Sequence, residues 1–126
     1  MVLLDAVHEA SEEVQITELT VREGELFVEE GRLLEGGMIE HVAQSAAAGI
    51  GVASASSGSG TPPIGFIGGI SRLRIHELPR IGTTLHTTIR VQHSMEGVRL
   101  VHGTVRSGGT VLGEMELKVF IMSDPQ

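Results

Sequence analysis

Residues 36–51, Gly36-Gly37-Met38-Ile39-Glu40-His41-Val42-Ala43-Gln44-Ser45-Ala46-Ala47-Ala48-Gly49-Ile50-Gly51, decide how this chain folds. Met38, Val42 and Ala46 recur every four positions, and Ile39, Ala43, Ala47 and Ile50 form the adjoining row, which is the 3.6-residue period of a helix with a broad apolar face. The spacing predicts one long helix from residue 33 to about 54. Ala46, Ala47 and Ala48 give it almost no side-chain bulk, and Gly49 and Gly51 each cost roughly 1 kcal/mol relative to Ala in a helix interior. A helix this slender on every side is expected to be wrapped closely by other elements.

Outward from the helix the pattern turns to strands. Residues 2–10 are apolar and then mixed. Residues 13–21 show Val14 and Ile16 on one face before Leu19 and Val21 appear on the other, a phase slip that predicts two short strands with a bulge or bend near Glu18. Residues 22–32 (REGELFVEEGR) read as an acidic connector anchored by Leu26, Phe27 and Val28. On the other side, residues 54–63 (SASSGSGTPP) read as a flexible surface loop. A long β-rich run over 64–78 is punctuated by Gly65, Gly68 and Gly69, which implies bulging or close approach of a ligand to the backbone. After a turn at 79–82, Leu85, Thr87, Ile89 and Val91 alternate with His86, Thr88, Arg90 and Gln92. Strands over 98–106 and 111–122 follow turns at Glu96-Gly97 and Ser107-Gly108-Gly109. In the last strand Met115, Leu117, Val119 and Ile121 face one way and Glu114, Glu116 and Lys118 the other, as in a half-buried antiparallel strand. Two strands, one helix and four strands in a meander make one α+β domain over residues 1–126, its antiparallel sheet of five or six strands curling around the helix. One sheet leaves the helix partly uncovered, so a dimer is expected to complete its burial.

Composition narrows the function. The 126 residues are 40% apolar and 20% charged and contain no Cys, which excludes a disulfide-stapled scaffold and fits a cytoplasmic setting. Three Phe, with no Trp or Tyr, argue against base-stacking nucleic-acid modules and aromatic-lined carbohydrate or peptide grooves. Within the net charge of −7, residues 1–40 hold eleven acids and only Arg22 and Arg32 as bases, whereas residues 41–126 hold five acids and seven bases. An acidic first third repels phosphate backbones, so no nucleic-acid partner is expected. No apolar run reaches the ~18 residues that span a bilayer, and no membrane partner is expected. Arg72, Arg74 and Arg80 place three of the nine cations within nine residues, either as a solvated strand edge or as a docking surface for an anionic partner.

Glu40 and Gln44 are four apart and share a helix face. Glu40 follows Gly36-Gly37 by less than a turn, where free backbone N–H groups and the positive dipole end can stabilise an oxyanion on a bound carbonyl. Two readings stand here: a general acid or base beside an oxyanion site, or a carboxylate that complements the helix dipole. No phosphate-binding Gly-x-x-x-x-Gly-Lys and no Gly-x-Ser-x-Gly elbow is present. His8-Glu9 lacks the second His of a zincin and no His cluster has metal spacing, so no metal or other cofactor is expected. The glycines of residues 58–60 precede a strand and read as a linker.

Glu40-His41-Val42-Ala43-Gln44, on a helix followed by small residues, resembles the Glu-x-x-Ala-Gln motif of the β-hydroxyacyl-[acyl carrier protein] dehydratase family. Residues 1–7 (MVLLDAV) resemble that family's first strand with its Leu-x-Asp signature. Residues 65–70 (GFIGGI) occupy the place of its Phe-x-Gly-(Ile/Val) strand, and residues 78–82 that of its Pro-Gly turn. The resemblance covers nearly the whole chain and implies the hotdog fold. It also implies dehydration of a β-hydroxyacyl thioester carried by acyl carrier protein or CoA, with the acyl chain between helix and sheet. In that family a helix carboxyl and a loop His from opposite protomers share the work: the His takes the C2 proton, and the carboxyl, buried and with a raised pKa, protonates the leaving C3 hydroxyl. The implied roles are Glu40 as the acid, Gln44 as its orienting partner, Gly36 and Gly37 as the backbone that polarises the thioester carbonyl, and Phe66 and Gly68 as substrate-lining positions. Because the family usually has a short segment before the first strand, an alternative start upstream of Met1 is also implied.

The loop His of the family does not carry over, because no His lies between His8 and His41. Three explanations follow. The chain resembles divergent dehydratase-like proteins of aryl-polyene and flexirubin pigment pathways, in which a partner hotdog subunit brings the His. Alternatively another His substitutes, with His76, beside Glu77 and Pro79, the better candidate; His41 projects about 100° from Glu40 around the helix as a packing or surface residue, and His86, His93 and His102 fall on strand faces. Or the chain is a hotdog thioesterase, in which the helix carboxylate activates water against an acyl thioester and no His is needed. A non-catalytic acyl-binding subunit, in a homodimer or a hetero-oligomer with another hotdog chain, is the reading from a different class. Arg72, Arg74 and Arg80 are the expected docking residues for the pantetheine phosphate or the acidic carrier.

Overall fold

The computed structural model describes residues 3–11, 13–25, 27–56 and 64–122; Leu26 and the loop expected up to residue 63, from 57 onward, lie outside the described residues. Strands β1 (Ala6–Ala10) and β2 (Val14–Thr20) come first, followed by a hairpin of β3 (Val28–Glu29) and β4 (Arg32–Leu33). Helix α1 (Glu35–Ser56) precedes β5 (Ile64–Ile75), β6 (Thr84–Met95), β7 (Val98–Ser107) and β8 (Thr110–Met122). Six strands form one antiparallel sheet in the order β1-β2-β6-β7-β8-β5, and α1 lies across one face of it in the expected hotdog arrangement.

The contact between helix and sheet is made through glycine. A Cβ at Gly103 of β7 would stand 2.6 Å from Val42 Cγ1, and one at Gly113 of β8 2.9 Å from Met38 Cε. Met38, Val42 and Ala46 are buried as their periodicity predicts, together with Leu85, Ile89, Val101, Val105, Met115, Leu117 and Val119 from the inner faces of β6, β7 and β8. Each such aliphatic side chain contributes about 1.5–3 kcal/mol on burial.

Five expectations need correction. The second buried row of the helix is His41 and Ser45, whereas Ile39 and Ala43 are only half-buried and Ala47 is exposed. The phase slip in residues 13–21 is not a bulge: β2 runs straight, and Gln15, Thr17 and Leu19 all face inward. Thr17 is tolerated there because its hydroxyl meets that of Ser45 at 2.7 Å, and Gln15 because its side-chain amide donates to the Ser11 carbonyl at 2.8 Å. The bulge lies in β1 instead, where His8 is the extra residue between Val7 and Glu9. The last four strands are not one meander, since β5 pairs with β8 at the far edge and only β6, β7 and β8 follow one another. Finally, the acidic connector contains the β3–β4 hairpin, so Leu33 is a buried strand residue rather than the helix start, and the strand begun at Ile64 ends at Ile75 rather than continuing to residue 78.

The hairpin is stitched to the link between β5 and β6. Leu33 N–H donates to the Pro79 carbonyl (2.8 Å) and Ile81 N–H to the Gly31 carbonyl (2.9 Å), which sets Arg32 and Arg80 directly opposite each other. Helix α1 then starts at the Leu34 carbonyl, which accepts the N–H groups of Gly37 (2.9 Å) and Met38 (3.1 Å), and Glu35 supplies the acidic first turn.

Candidate active site

Glu40 sits in the second turn of α1 on the side opposite the buried row, and its carboxylate is exposed to solvent. Gln44, one turn on, donates from Nε2 to Glu40 Oε1 at 3.0 Å. The same amide reaches the chain's first described residue: Leu3 N–H donates to Gln44 Oε1 at 2.6 Å. Leu3 is gripped from its other side by His41, whose Nδ1 lies 2.7 Å from the Leu3 carbonyl, while His41 Nε2 lies 2.7 Å from the Thr87 hydroxyl of β6. A carbonyl only accepts, so Nδ1 carries the proton and the Thr87 hydroxyl donates to Nε2. Burial pushes the His41 pKa below the ordinary histidine value, more than its bond to Leu3 and the charge of Asp5 raise it, and the ring stays neutral. Asp5 holds the next turn of this segment: it accepts Thr20 N–H at 2.6 Å and pairs with Arg22 at 2.8 Å, and the Arg22 bond lowers its pKa.

The two glycines at the helix start are packing positions as well as backbone donors. A Cβ on Gly37 would stand 2.6 Å from Phe27 Cβ and 2.5 Å from a Leu33 methyl, so Gly37 is what lets the hairpin close on the helix, and its N–H is spent on Leu34. Gly36 is exposed in the first turn, against the Phe27 ring. Phe66 and Gly68 lie on the edge strand β5. Gly68 is the extra residue of a bulge between Ile67 and Gly69, and it is glycine because the Phe120 ring of β8 occupies the place a side chain would take. The close approach that its position in the sequence suggests is thus made by a neighbouring ring.

All six histidines fall within the described residues, and none of them faces Glu40 from the sheet. Glu114 alternates with the inward-facing Gly113 and Met115 and so projects from the face of the sheet away from α1. His76 lies with it, Nε2 3.7 Å from Glu114 Oε2, and His102 stands 4.0 Å from the other carboxylate oxygen. His8 and His86 share Glu18 Oε1 at 3.0 and 3.3 Å on that same outer face, where His93 also falls opposite Leu100. His41 is buried with both ring nitrogens engaged. The structure therefore brings Glu40, Gln44 and Gly36 together but puts the sheet between Glu40 and His76.

The three arginines have different surroundings. Arg72, in the left-handed region (φ 51°) of a second β5 bulge, has its guanidinium 3.5 Å from Glu116, and Arg74 faces Glu114 across the ladder. Arg80 pairs with no carboxylate within 4 Å among the described residues and lies beside Arg32, which donates to the Leu78 carbonyl at 2.6 Å. Among the described residues no group of His, Asp and Glu is arranged to hold a metal ion, and no helix is long and apolar enough to cross a membrane.

Beside Glu40 on α1, Ile39 and Ala43 are half-covered. On the edge strand β5, Phe66 (50% exposed) lies opposite Phe120 on the outer face of the sheet, and Ile67 (36%) and Ile70 (42%) are exposed on the inner face. Among the described residues no strand pairs with the outer side of this twelve-residue edge strand.

Comparison with solved structures gives the same architecture. A chain of the dehydratase heterocomplex ApeI:P from Xenorhabdus doucetiae superposes with a TM-score of 0.86 at 21% identity, covering 98% of this chain and 84% of that one. A hypothetical thioesterase with coenzyme A from Streptococcus pneumoniae TIGR4 superposes at 0.77 with 10% identity, covering 96% and 90%. The smu.793 protein from Streptococcus mutans UA159, bound to acetyl CoA, superposes at 0.74 with 16% identity, covering 100% and 95%. At these identities the likeness establishes the hotdog fold. No curated protein matches the sequence. The sequence model of the ApeP-like family, described as ApeP dehydratase, matches residues 1–126 from end to end, and the chain belongs to that ApeP-like dehydratase family.

Proposed function

We propose that this chain is the carboxylate-bearing half of a two-subunit dehydratase that removes water from a 3-hydroxyacyl thioester, and that a second hotdog subunit supplies the histidine. The observation that carries this reading is the segregation of the titratable groups: the helix carboxylate is on one side of the sheet, and every histidine is on the other side or buried. A lone acid beside a helix start can protonate a leaving group or polarise a carbonyl, but β-elimination also needs a base for the C2 proton. In the assembled site the partner's base takes that proton, the C3–O bond breaks, and Glu40 delivers a proton to the departing hydroxyl, releasing water and the enoyl thioester. The partner closes over Ile39, Ala43 and the β5 edge, which buries Glu40 and gives it the dry surroundings that suit an acid. Arg80, on the link beside Arg32, is the cation we assign to an anionic group of the carrier or of CoA, Arg72 being already 3.5 Å from Glu116.

The test is product analysis by mass spectrometry on 3-hydroxyacyl-carrier substrate, with the chain alone and mixed with a histidine-bearing hotdog partner. Enoyl product should form only in the mixture, and Glu40→Gln should lower the rate at least a hundredfold while the complex still assembles. Free acid released by the chain alone would replace this reading with a thioesterase, and absence of turnover in every combination would leave a binding subunit. In the same assay Arg80→Glu should raise KM for the carrier-bound substrate; an unchanged KM removes Arg80 from the docking surface.

A further inference from the structure

The outer face of the sheet, away from α1 and Glu40, carries an apolar band. Phe66 on β5 lies opposite Phe120 on β8, Phe120 opposite Val98 on β7, and Val98 opposite Met95 on β6, so the four side chains form one row across four strands. Phe66 is 50% exposed, Phe120 40% and Met95 60%, and Leu100 in the next outward row is 38% exposed. The chain has three Phe, and two of them stand side by side in solvent here. Surfaces of soluble monomers rarely leave such a band uncovered.

The rows beside the band identify what covers it. The next outward row pairs Lys118 of β8 with Leu100 of β7, the one after it Glu116 with His102, and the third Glu114 with Thr104. Turn a second copy by 180° about an axis that runs along the strands between β7 and β8, and every β8 residue meets the β7 residue of its own row. Phe120 then lies over Val98 of the second copy, Lys118 over its Leu100, Glu116 over its His102 and Glu114 over its Thr104. One strand further out, Phe66 of β5 meets Met95 of the other copy's β6, and Arg74 meets Thr88. Apolar groups meet apolar groups, a carboxylate meets an imidazole, and in these four rows no like charges oppose each other. A two-fold contact makes every pairing twice, so one opposition of like charges would also count twice. We propose that two copies of this chain stack through this outer face, sheet on sheet at the usual spacing of about 10 Å. The stacking uses neither Glu40 nor the backbone edge of β5, so it goes beyond the dehydratase reading and does not depend on it.

The experiment is sedimentation equilibrium of the full chain carrying Ile70→Glu, a charge on the inner side of β5 that keeps copies from joining edge to edge. This protein should sediment at twice the mass of one chain. Leu100→Lys, which sets a cation over Lys118 of the other copy on both sides of the axis, should weaken association at least about tenfold, whereas Leu100→Glu should keep or tighten it. Lys118 of the same chain neighbours residue 100 in separated and stacked copies alike, so the difference between the two variants reads the contact between copies. The sequence has no Cys, so Leu100→Cys in the otherwise unsubstituted chain gives one thiol per copy. A bis-maleimide spanning about 10 Å should join two of these thiols, and should join none in Glu35→Cys at the start of α1. Sedimentation at the mass of one chain across the soluble range overturns the inference, as does equal association of Leu100→Lys and Leu100→Glu. If Met95→Glu loses the histidine-bearing partner and not self-association, the band belongs to that partner and the inference also falls.

Discussion

His41 joins the stability of the chain to pH. Burial depresses its folded-state pKa below the ordinary value of 6.5, so in the window between the two the unfolded chain binds a proton that the folded chain refuses. Stability therefore falls as pH drops below about 6.5, with a slope of at most about 1.4 kcal/mol per pH unit for one proton. Urea unfolding at pH 7.5 and 5.5 should show this loss, and His41→Gln should flatten it. A parental slope in that variant would mean that another group is responsible. Apolar periodicity could not reveal this residue. His41 and Ser45 are buried because Leu3, Thr17 and Thr87 satisfy them, and those partners lie between 28 and 46 residues away in sequence. Glu40 and Gln44, by contrast, were legible from their spacing alone, because a helix fixes what stands one turn above what.

At the scale of elements the decisive contact is α1 on the bare backbone of β7. Gly103→Ala would press a methyl to 2.6 Å from Val42 Cγ1, a β-branched group with little freedom to move, and to 3.2 Å from Ile89 Cδ1. We expect a loss of about 1–3 kcal/mol by chemical denaturation. Val42→Ala alone should cost about as much by opening a cavity, but Gly103→Ala with Val42→Ala should cost less than the two losses together; strict additivity would show that the helix does not sit on this glycine. The existence of α1, β6, β7 and β8 could be read from periods of 3.6 and 2. The place of β5 could not, because a turn at Pro79 to Gly82 reads the same whether the next strand pairs beside β5 or crosses the sheet. What settles it is long-range: the link runs past the β3–β4 hairpin, which holds it at Leu33 and Gly31. The straight course of β2 was missed for a similar reason, since Gln15 and Thr17 break the apolar alternation without breaking the strand.

For the whole molecule, the composition foretold an aliphatic core wrapped around a slender helix, and the structure adds where that wrapping stops. On the proposal made above, the β5 edge with Phe66, Ile67 and Ile70 is where the partner would pair. Ile70→Glu should therefore abolish co-elution with the partner in size-exclusion chromatography, whereas Met95→Glu, at the exposed end of β6, should not. If both variants co-elute normally, the partner binds elsewhere. The expectation of a partner came from the missing loop histidine. That β5 lies outermost was not legible, because it depends on its pairing with β8 at the far side of the sheet.

The open edge of β5 also bears on how the chain is produced. In the proposed assembly, a copy made in excess of its partner would present an edge strand that no other strand pairs among the described residues, together with large apolar side chains, the kind of surface that aggregation and protein quality control both recognise. Matched supply of two such subunits would then govern more than the amount of assembled protein: it would decide how long an orphan copy survives.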